Sequence, residues 1–263
     1  MTPTALKLFI ESQGASLNMT TMSMDKLWAI NKKIIDPEIP RFVAVKDPTP
    51  LEIDNFDVFS KEEICTKVSQ RIKNFPKEIK YTKKIMMEQA DAKTFQIGEE
   101  VTFTDLGNII INKIIVGDND RITSLVGSYV PNGDFKKTKK KVTWLADIEL
   151  ISVKLVEYDH LISTKKLPKE GDWKAAIRPK IKYESVAHGD PLMKALKKND
   201  KLQLERIGYF ICNQPLSDNS PLVLVNIPDG HQGSPSILES ELQKLRRMEN
   251  ENQKDSQNDS QKN

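Results

Sequence analysis

The fold is indicated by residues 101–126, VTFTDLGNIIINKIIVGDNDRITSLV, in which three runs of β-branched residues are separated by turn residues. The runs are Val101-Thr102-Phe103, Ile109–Val116 and Ile122–Val126. Gly107-Asn108 and Gly117–Asp120 stand between them, and residues of these types favour tight turns. Short strands that are punctuated in this way predict an antiparallel sandwich or barrel.

Similar runs extend the pattern in both directions along the chain. They are Phe42–Val45, Val142–Leu145, Val153–Val156, Leu202–Leu204, Tyr209–Cys212 and Leu222–Val225. The segment Pro191–Lys198 interrupts them and predicts one or two helical turns. The sequence therefore predicts a mainly β protein with two tandem antiparallel β-barrels.

Two short helices are predicted ahead of the strands. The first begins at Thr2-Pro3, a typical helix start, and ends before Gly14. The second runs from about Ser23 to Ile35 and is stopped by Asp36-Pro37, because proline cannot donate the next backbone hydrogen bond. Such a helix pair buries too little surface to be stable alone, so we expect a helical stem that packs on the barrels.

A third helix is predicted on the surface between the strands. The residues Ser60-Lys61-Glu62-Glu63 match a capping box, and Ile64, Val68 and Ile72 follow at helical spacing. At the other end of the chain, residues 236–263 dissolve into Asn, Gln, Ser, Asp and Lys, with nothing apolar after Met248. This composition predicts a frayed helix and a disordered tail.

Composition excludes several classes of protein. Apolar residues make up 38% of the 263, which suffices for folded cores, and the formal net charge is only +3. No apolar run approaches the length of a membrane span. The cysteines Cys65 and Cys212 and the three scattered histidines lack the spacing of a zinc site, and no Walker loop or Gly-x-Ser-x-Gly motif occurs. We expect a cytoplasmic protein with no membrane contact, no metal site and no catalytic residue in this chain.

The strongest charge feature is Lys136-Lys137-Thr138-Lys139-Lys140-Lys141, which follows the turn Pro131-Asn132-Gly133. So dense a cluster favours an external anion such as a phosphate, although a solvated hairpin tip is the alternative. The nearby Tyr129, Phe135 and Trp144 could stack on unpaired bases or belong to a barrel core, and the core is favoured for Trp144. The residues themselves thus predict an RNA-binding β module.

The run DKLWAINKKIIDP at residues 25–37, followed by Pro40-Arg41, resembles the eukaryotic-type cytosolic glutamyl-tRNA synthetases and the glutamyl half of the bifunctional glutamyl-prolyl enzymes. The similarity continues in order through further segments: 89–92, 98–103, 107–108, 142–146, 157–162, 189–191, 203–212 and 227–230. The glutaminyl enzymes share the Gln-x-Glu-Arg-x-Gly-Tyr-Phe strand but usually lack the features of the first run. The resemblance therefore favours glutamate over glutamine.

The resemblance implies a role in aminoacylation. The whole enzyme activates glutamate with ATP and Mg²⁺ and transfers it to tRNA, but the His-x-Gly-His and Lys-Met-Ser-Lys-Ser type motifs of its catalytic domain are absent from this sequence. We therefore expect the C-terminal, anticodon-binding part of such a ligase, without catalytic activity of its own. The alternative is a free-standing tRNA-binding protein derived from the synthetase. Other synthetases or scaffold proteins are possible partners besides tRNA.

The resemblance also implies a division of the chain. It places a helical stem at residues 1–40 and the tandem barrels at 41–235, with the tail at 236–263. The distal barrel is expected at about 80–180, and the proximal barrel takes the remainder of the barrel region. The helix-like insertion predicted between Leu51 and Met87 departs from the family, which is proline-rich there.

The same resemblance implies which residues contact tRNA. In the proximal barrel these are Arg41, Gln203 and Arg206, whose planar groups suit the edges of unstacked anticodon bases. In the distal barrel they are the lysines of the basic loop, whose point charges suit phosphates: Lys136, Lys137, Lys139 and Lys141. The alternative for Arg206 is a pair with Glu205 or another neighbouring carboxylate that merely staples the sheet.

Overall fold

A computed structural model describes residues 1–14, 24–60, 64–69, 76–163 and 173–230. Its helices are α1 (Pro3–Glu11), α2 (Met24–Ile35), α3 (Phe56–Phe59) and α4 (Gln89–Ala92), with short 3₁₀ turns at Asp36–Glu38, Asp118–Asp120, Trp173–Ala176 and Pro191–Ala195. Its strands are β1 (Arg41–Phe42), β2 (Ala44–Val45), β3 (Pro48–Ile53), β4 (Ile64–Ser69), β5 (Lys77–Thr82), β6 (Lys84–Glu88), β7 (Glu100–Phe103), β8 (Gly107–Val116), β9 (Ile122–Val130), β10 (Lys141–Val142), β11 (Trp144–Ala146), β12 (Ile151–Tyr158), β13 (Lys182–Gly189), β14 (Lys201–Leu204), β15 (Gly208–Gln214) and β16 (Leu222–Ile227). The predicted mainly β fold is confirmed.

The two predicted N-terminal helices are present and form a packed stem. The side chain of Thr2 caps α1 by accepting a hydrogen bond from the Ala5 amide at 3.2 Å, as its position predicted. The Thr2 amide donates in turn to Oδ1 of the buried Asn31 on α2, at 2.8 Å. Helix α2 then packs on the second sheet, where Ile35 contacts Tyr209 and Ile227. The stem is thereby fixed to the β region.

The first seven-stranded sheet has the order β10-β7-β8-β9-β3-β6-β11. Its two edge strands, β10 and β11, are separated in sequence by Thr143 alone, so the sheet curls until its edges meet. Fully buried side chains such as Phe103, Ile109 and Leu125 fill the interior. We call this sheet the first barrel.

The second seven-stranded sheet is curled in the same way and has the order β1-β14-β15-β16-β12-β13-β2. Here the edge strands β1 and β2 are separated only by Val43. Leu155, Leu202 and Phe210 fill the interior of this second barrel. Each sheet is therefore curled so that its first and last strands follow each other directly in the chain. The prediction of two barrels is confirmed.

The strands of the two barrels do not follow the expected boundaries at about residues 80 and 180. The first barrel already takes β3, at Pro48–Ile53, and the second takes β12, at Ile151–Tyr158. The first barrel is thus inserted between β2 and β12 of the second barrel. A small apolar cluster, in which Val43 and Val45 meet Leu145, joins the two.

The surface helix predicted after Ser60 is wrong, because residues 64–69 form strand β4 and pair with β5 in an antiparallel ribbon. Residues four apart share one face of a helix and also one face of a strand, so the spacing of Ile64 and Val68 did not separate the two structures. Both side chains are about half exposed, at 48% and 56%, while Tyr81 of β5 packs into the first barrel. The capping-box residues 61–63, Ile72 and the predicted tail lie outside the described residues.

Candidate nucleic-acid interface

Three polar side chains form one row across three neighbouring strands of the second barrel. Arg41 on β1 lies opposite Gln203 on β14, and Gln203 lies opposite Tyr209 on β15. Laterally paired residues of a sheet point to the same face, so the three side chains are neighbours. The register thus brings together two of the predicted base-contact residues, Arg41 and Gln203.

Asp36, at the end of α2, bridges the two ends of this row. Its Oδ1 atom accepts a hydrogen bond from the Tyr209 hydroxyl at 2.5 Å and one from Nη2 of Arg41 at 3.4 Å. Burial, together with the hydrogen bond to Asp36, raises the pKa of Tyr209 well above its usual range. The phenol therefore stays protonated as a donor, and Asp36 remains directed at Arg41.

The row also contains two buried polar atoms without a partner among the described residues. They are Nε of Arg41, a donor, and Oε1 of Gln203, an acceptor. A buried polar atom without a hydrogen bond costs free energy, which a ligand that completes the pairing would recover. One donor and one acceptor on facing residues match the edge of a nucleobase, which presents both kinds of group.

The basic loop, residues 131–141, joins β9 of the first barrel to β10 and is fastened to its own barrel. Lys140 is bound at Glu99, with 2.7 Å between Nζ and Oε2, and also donates to the Thr94 carbonyl. Burial works to raise the pKa of Glu99, but the hydrogen bonds from Lys140 and from the Gln96 amide outweigh it and hold the pKa below its usual value. Lys140 is therefore a structural residue of the loop.

The other four lysines of the basic loop are exposed: Lys136, Lys137, Lys139 and Lys141. None of them lies within 4 Å of a carboxylate oxygen of a described residue. These four lysines lie within six consecutive positions of the chain. The fold therefore leaves the four predicted phosphate-contact residues exposed and without an ion pair among the described residues.

Four other lysines close together in sequence, from β5 to the start of β6, differ from the four exposed lysines of the basic loop because each forms an ion pair. Lys77 is bound to Asp190, and three more ion pairs follow along the chain: Lys80–Glu149 at 3.0 Å, Lys83–Glu52 at 2.7 Å and Lys84–Asp147 at 3.1 Å. Two of these pairs, at Asp190 and Glu149, brace the ribbon against residues of the second barrel and of the segment that leads to it. A high local density of lysines therefore does not show by itself whether those lysines form ion pairs within the fold or are free to bind a ligand.

Arg206 occupies a different position from Arg41 and Gln203. It lies in the turn between β14 and β15 with a φ of 65°, and its two terminal nitrogens donate to the carboxylate of Asp91 at 2.5 and 2.8 Å. Because Asp91 belongs to α4 of the first barrel, this two-pronged pair fastens one barrel to the other. The hydrogen bonds to Asp91 also raise the pKa of Arg206. The structure thus places Arg206 in a pair of the stapling kind, with Asp91 instead of Glu205.

The three aromatic candidates separate clearly. Trp144 is 6% exposed and donates its indole N–H to the Thr104 carbonyl at 2.7 Å, so it belongs to the core as favoured. Tyr129 is half-buried, with its ring 5.0 Å from that of Phe59. Phe135, in the basic loop, is 56% exposed. It is the aromatic candidate with a ring that a ligand can reach.

Sequence reasoning missed two members of the site, Asp36 and Tyr209. The sequence marks Asp36 as part of a helix stop and Tyr209 as part of a strand, and both fall in segments of the family resemblance, but nothing there points to a contact between them. Their contact joins residues that are far apart in the chain, so no local pattern reveals it. The available signal was indirect: Asp36 precedes Pro40-Arg41 closely, and Tyr209 shares a strand pair with Gln203.

Two models of known protein families match the chain. One is described as the anticodon-binding domain of class I tRNA synthetases (E and Q) and matches residues 39–130. A second model of the same description matches residues 141–213. The two matches together span more than half of the chain. The chain belongs to this family of anticodon-binding domains. The first match contains Arg41, the second contains Gln203 and Arg206, and most of the basic loop falls between them.

Individual synthetases are similar to the chain across most of its length. The bifunctional glutamate/proline–tRNA ligase of Mus musculus is 42% identical over 247 residues, which cover 88% of this chain and 16% of that protein. The cytoplasmic glutamate–tRNA ligase of Arabidopsis thaliana is 42% identical over 232 residues, covering 86% and 32%. That of Saccharomyces cerevisiae is 36% identical over 234 residues, covering 88% and 32%. The resemblance seen at residues 25–37 is confirmed, and the chain spans a third or less of the length of these relatives.

Proposed function

We propose that this chain is the tRNA-binding part of a glutamate–tRNA ligase and that it recognises the anticodon of the glutamate tRNA. The observation that carries the proposal is the row on the second barrel, where Arg41 and Gln203 lie opposite each other and each has a buried polar atom without a partner among the described residues. The family supplies the ligand, because both matching models are anticodon-binding domains. We infer that the tRNA is the glutamate tRNA because the similar proteins are named as glutamate–tRNA ligases.

The contacts divide by residue type. Arg41 and Gln203 present planar groups to base edges and supply discrimination, while Lys136, Lys137, Lys139 and Lys141 bind phosphates and supply affinity. Arg206 contacts the RNA only if the RNA displaces Asp91 from its two terminal nitrogens. In its present pair it serves the junction of the barrels.

The remaining functions of a ligase belong, in this proposal, to the whole enzyme. Aminoacylation needs ATP and Mg²⁺, and among the described residues no group of three or more His, Cys, Asp or Glu is placed to hold a metal ion. No helix in the part of the chain that the structure describes is long and apolar enough to cross a membrane. We place the protein in the cytoplasm, as in the names of the relatives, and propose a second synthetase activity as a partner because some relatives are bifunctional.

The test is a binding titration with glutamate tRNA transcripts that carry either the natural or an altered anticodon. We expect tight binding of the first and weaker binding of the second, because the row reads base edges. A parallel ATP–pyrophosphate exchange assay with glutamate should show no turnover by this chain. Equal affinity for both transcripts would contradict anticodon recognition, and turnover would contradict a purely tRNA-binding role.

The alternative, a free-standing tRNA-binding protein, predicts the same binding affinities in this titration. The genomic sequence immediately upstream separates the two. A reading frame that continues into a Lys-Met-Ser-Lys-Ser type motif supports a ligase, and a promoter directly before Met1 supports the independent protein.

A further inference from the structure

The basic loop is anchored to the first barrel by contacts on both sides of Phe135. Before it, Gly133 lies so close to Asn108 that an added Cβ would come within 2.6 Å of that side chain. After it, the hydroxyl of Thr138 is 2.5 Å from that of Thr102 and donates to the Phe135 carbonyl at 3.1 Å. The short segment between these anchors holds Phe135 outside the barrel, where the residue is 56% exposed.

The Phe135 ring has one side occupied by a charge and a large area open to solvent. Nζ of Lys141 lies 5.9 Å from the ring centroid, within the range of a cation–π contact. More than half of the residue remains exposed. Burying an apolar ring of this size is favourable. Because the fold leaves the Phe135 ring exposed, a ligand that covers the ring gains the free energy of burying it.

The surroundings of the ring narrow the class of ligand. Exposed lysines follow it directly at positions 136, 137 and 139, and they lack carboxylate partners among the described residues. An exposed aromatic ring beside unpaired cations is the arrangement that binds single-stranded nucleic acid, where a base stacks on the ring and the adjoining phosphates meet the charges. An acidic peptide would use the lysines but leave the ring unused.

We propose that Phe135 is a stacking site for one unpaired nucleobase of the bound RNA. The inference rests on the proposed function and adds to it a contact that accepts any base. Stacking on an aromatic face tolerates every base, because each has a π-face. The basic loop thus recognises that the RNA is unpaired, while the row of Arg41 and Gln203 recognises which base is present.

The experiment uses the full chain and two RNA probes, a hairpin with a seven-base loop that carries 2-aminopurine and a fully paired duplex of equal length. Phe135→Leu removes the ring face and keeps apolar bulk, Phe135→Trp keeps a ring, and Val186→Ala removes another exposed apolar side chain far along the sequence on β13. Stacking on an aromatic side chain contributes about 1–3 kcal/mol per base, which corresponds to a loss of roughly fivefold or more. We expect Phe135→Leu to lose that affinity for the hairpin alone and to abolish the 2-aminopurine quenching.

Four outcomes decide the matter. The proposal is supported if Phe135→Trp recovers both the affinity and the quenching while Val186→Ala binds like the original chain. The salt dependence of binding by Phe135→Leu should also equal that of the original chain. Equal hairpin affinity of Phe135→Leu and the original chain overturns it while the proposed function stands. Equal weakening of hairpin and duplex also overturns it, because Phe135 would then act on the loop conformation. Failure of the original chain to bind the hairpin overturns the proposed function itself.

Discussion

Asp36 holds Arg41 from the end of the stem, with 3.4 Å between the carboxylate Oδ1 and the guanidinium Nη2. The same oxygen is held by the Tyr209 hydroxyl, so its position is set by the second barrel. One terminal nitrogen of Arg41 is therefore engaged by the protein itself, while Nε is buried and has no partner among the described residues. A planar guanidinium that is fixed at one end presents its remaining donors in a defined direction.

The first prediction concerns Arg41. Arg41→Ala should reduce the discrimination between cognate and anticodon-altered tRNA by about 1–3 kcal/mol, the scale of a good two-pronged contact to one base. The measurement is a pair of binding titrations at one salt concentration. Arg121→Ala is the matched control, because Arg121 is paired with Asp47 on the first barrel and its loss removes the same charge. Equal weakening of both tRNAs by Arg41→Ala would make Arg41 a clamp on the RNA backbone.

The second prediction concerns Asp36. Asp36→Asn keeps the size of the side chain but removes the negative charge that orients Arg41. We expect the affinity for anticodon-altered tRNA to rise, because a repulsive charge is lost, and discrimination to fall by less than in Arg41→Ala. Discrimination that stays at the original value in Asp36→Asn would show that Arg41 needs no carboxylate to hold its position.

The third prediction concerns the basic loop. Replacement of Lys136, Lys137 and Lys139 by Ala should weaken all tRNAs alike and flatten the plot of log affinity against log salt by up to about 0.7–0.9 for each lost contact. The matched control replaces three lysines whose charges are already paired, Lys80, Lys83 and Lys84. Both triple variants lose the same formal charge. A similar change of slope in the two would assign the effect to net charge and remove the basic loop from the interface.

The fourth prediction concerns Arg206 and Asp91. The single substitutions Arg206→Ala and Asp91→Ala should each lower the free energy of unfolding, and a double-mutant cycle should give a coupling of about 0.5–1 kcal/mol for this partly exposed pair. The measurement is urea denaturation of the four proteins. We expect tRNA affinity to change little in either single variant. Loss of tRNA affinity in Arg206→Ala, with Asp91→Ala unaffected, would instead place Arg206 in the interface.

The fifth prediction concerns pH. Burial raises the pKa of Glu88 above its ordinary value, although a hydrogen bond from the Lys46 amide opposes the shift. The folded state therefore binds this proton more tightly than the unfolded state, and its stability falls as the pH rises through the window above the unfolded pKa. Glu88→Gln removes that loss, so its Tm should exceed that of the original chain at pH 7 and match it near pH 4. The exposed Glu78→Gln is the control, and a gain from Glu88→Gln at both pH values would contradict the burial argument.

Most strands of the barrels were predictable because their signal is local, whereas no β-branched run marked β3, β5, β6 or β13. β-branched runs between Gly107, Gly117 and Gly133 mark both the strands and their ends, whereas the curling of each sheet into a barrel depends on pairings between strands far apart in the chain. The helix predicted at Ile64 failed, because two apolar residues four apart satisfy both periods.

The candidate site was predictable only in part. The run of lysines is visible in the sequence, but the fold alone separates Lys140, bound to Glu99, from its exposed neighbours. Arg41 and Gln203 came from a family resemblance, and only the register of β1 and β14 shows that they face each other. The pairing of Arg206 with Asp91 depends on the docking of two barrels, which no segment encodes by itself.

The insertion of the first barrel into the second sets an order of events during synthesis. The ribosome delivers every strand of the first barrel, residues 48–146, before it begins the strands at 151–227 that complete the second. Contacts between residues far apart in sequence form late. Strand β1, which carries Arg41, therefore has no β14 to pair with until Gln203 has been synthesised. The lysines of the basic loop are in place long before that. If the proposed division of contacts holds, a nascent chain would attract RNA through its charge before it could distinguish one anticodon from another.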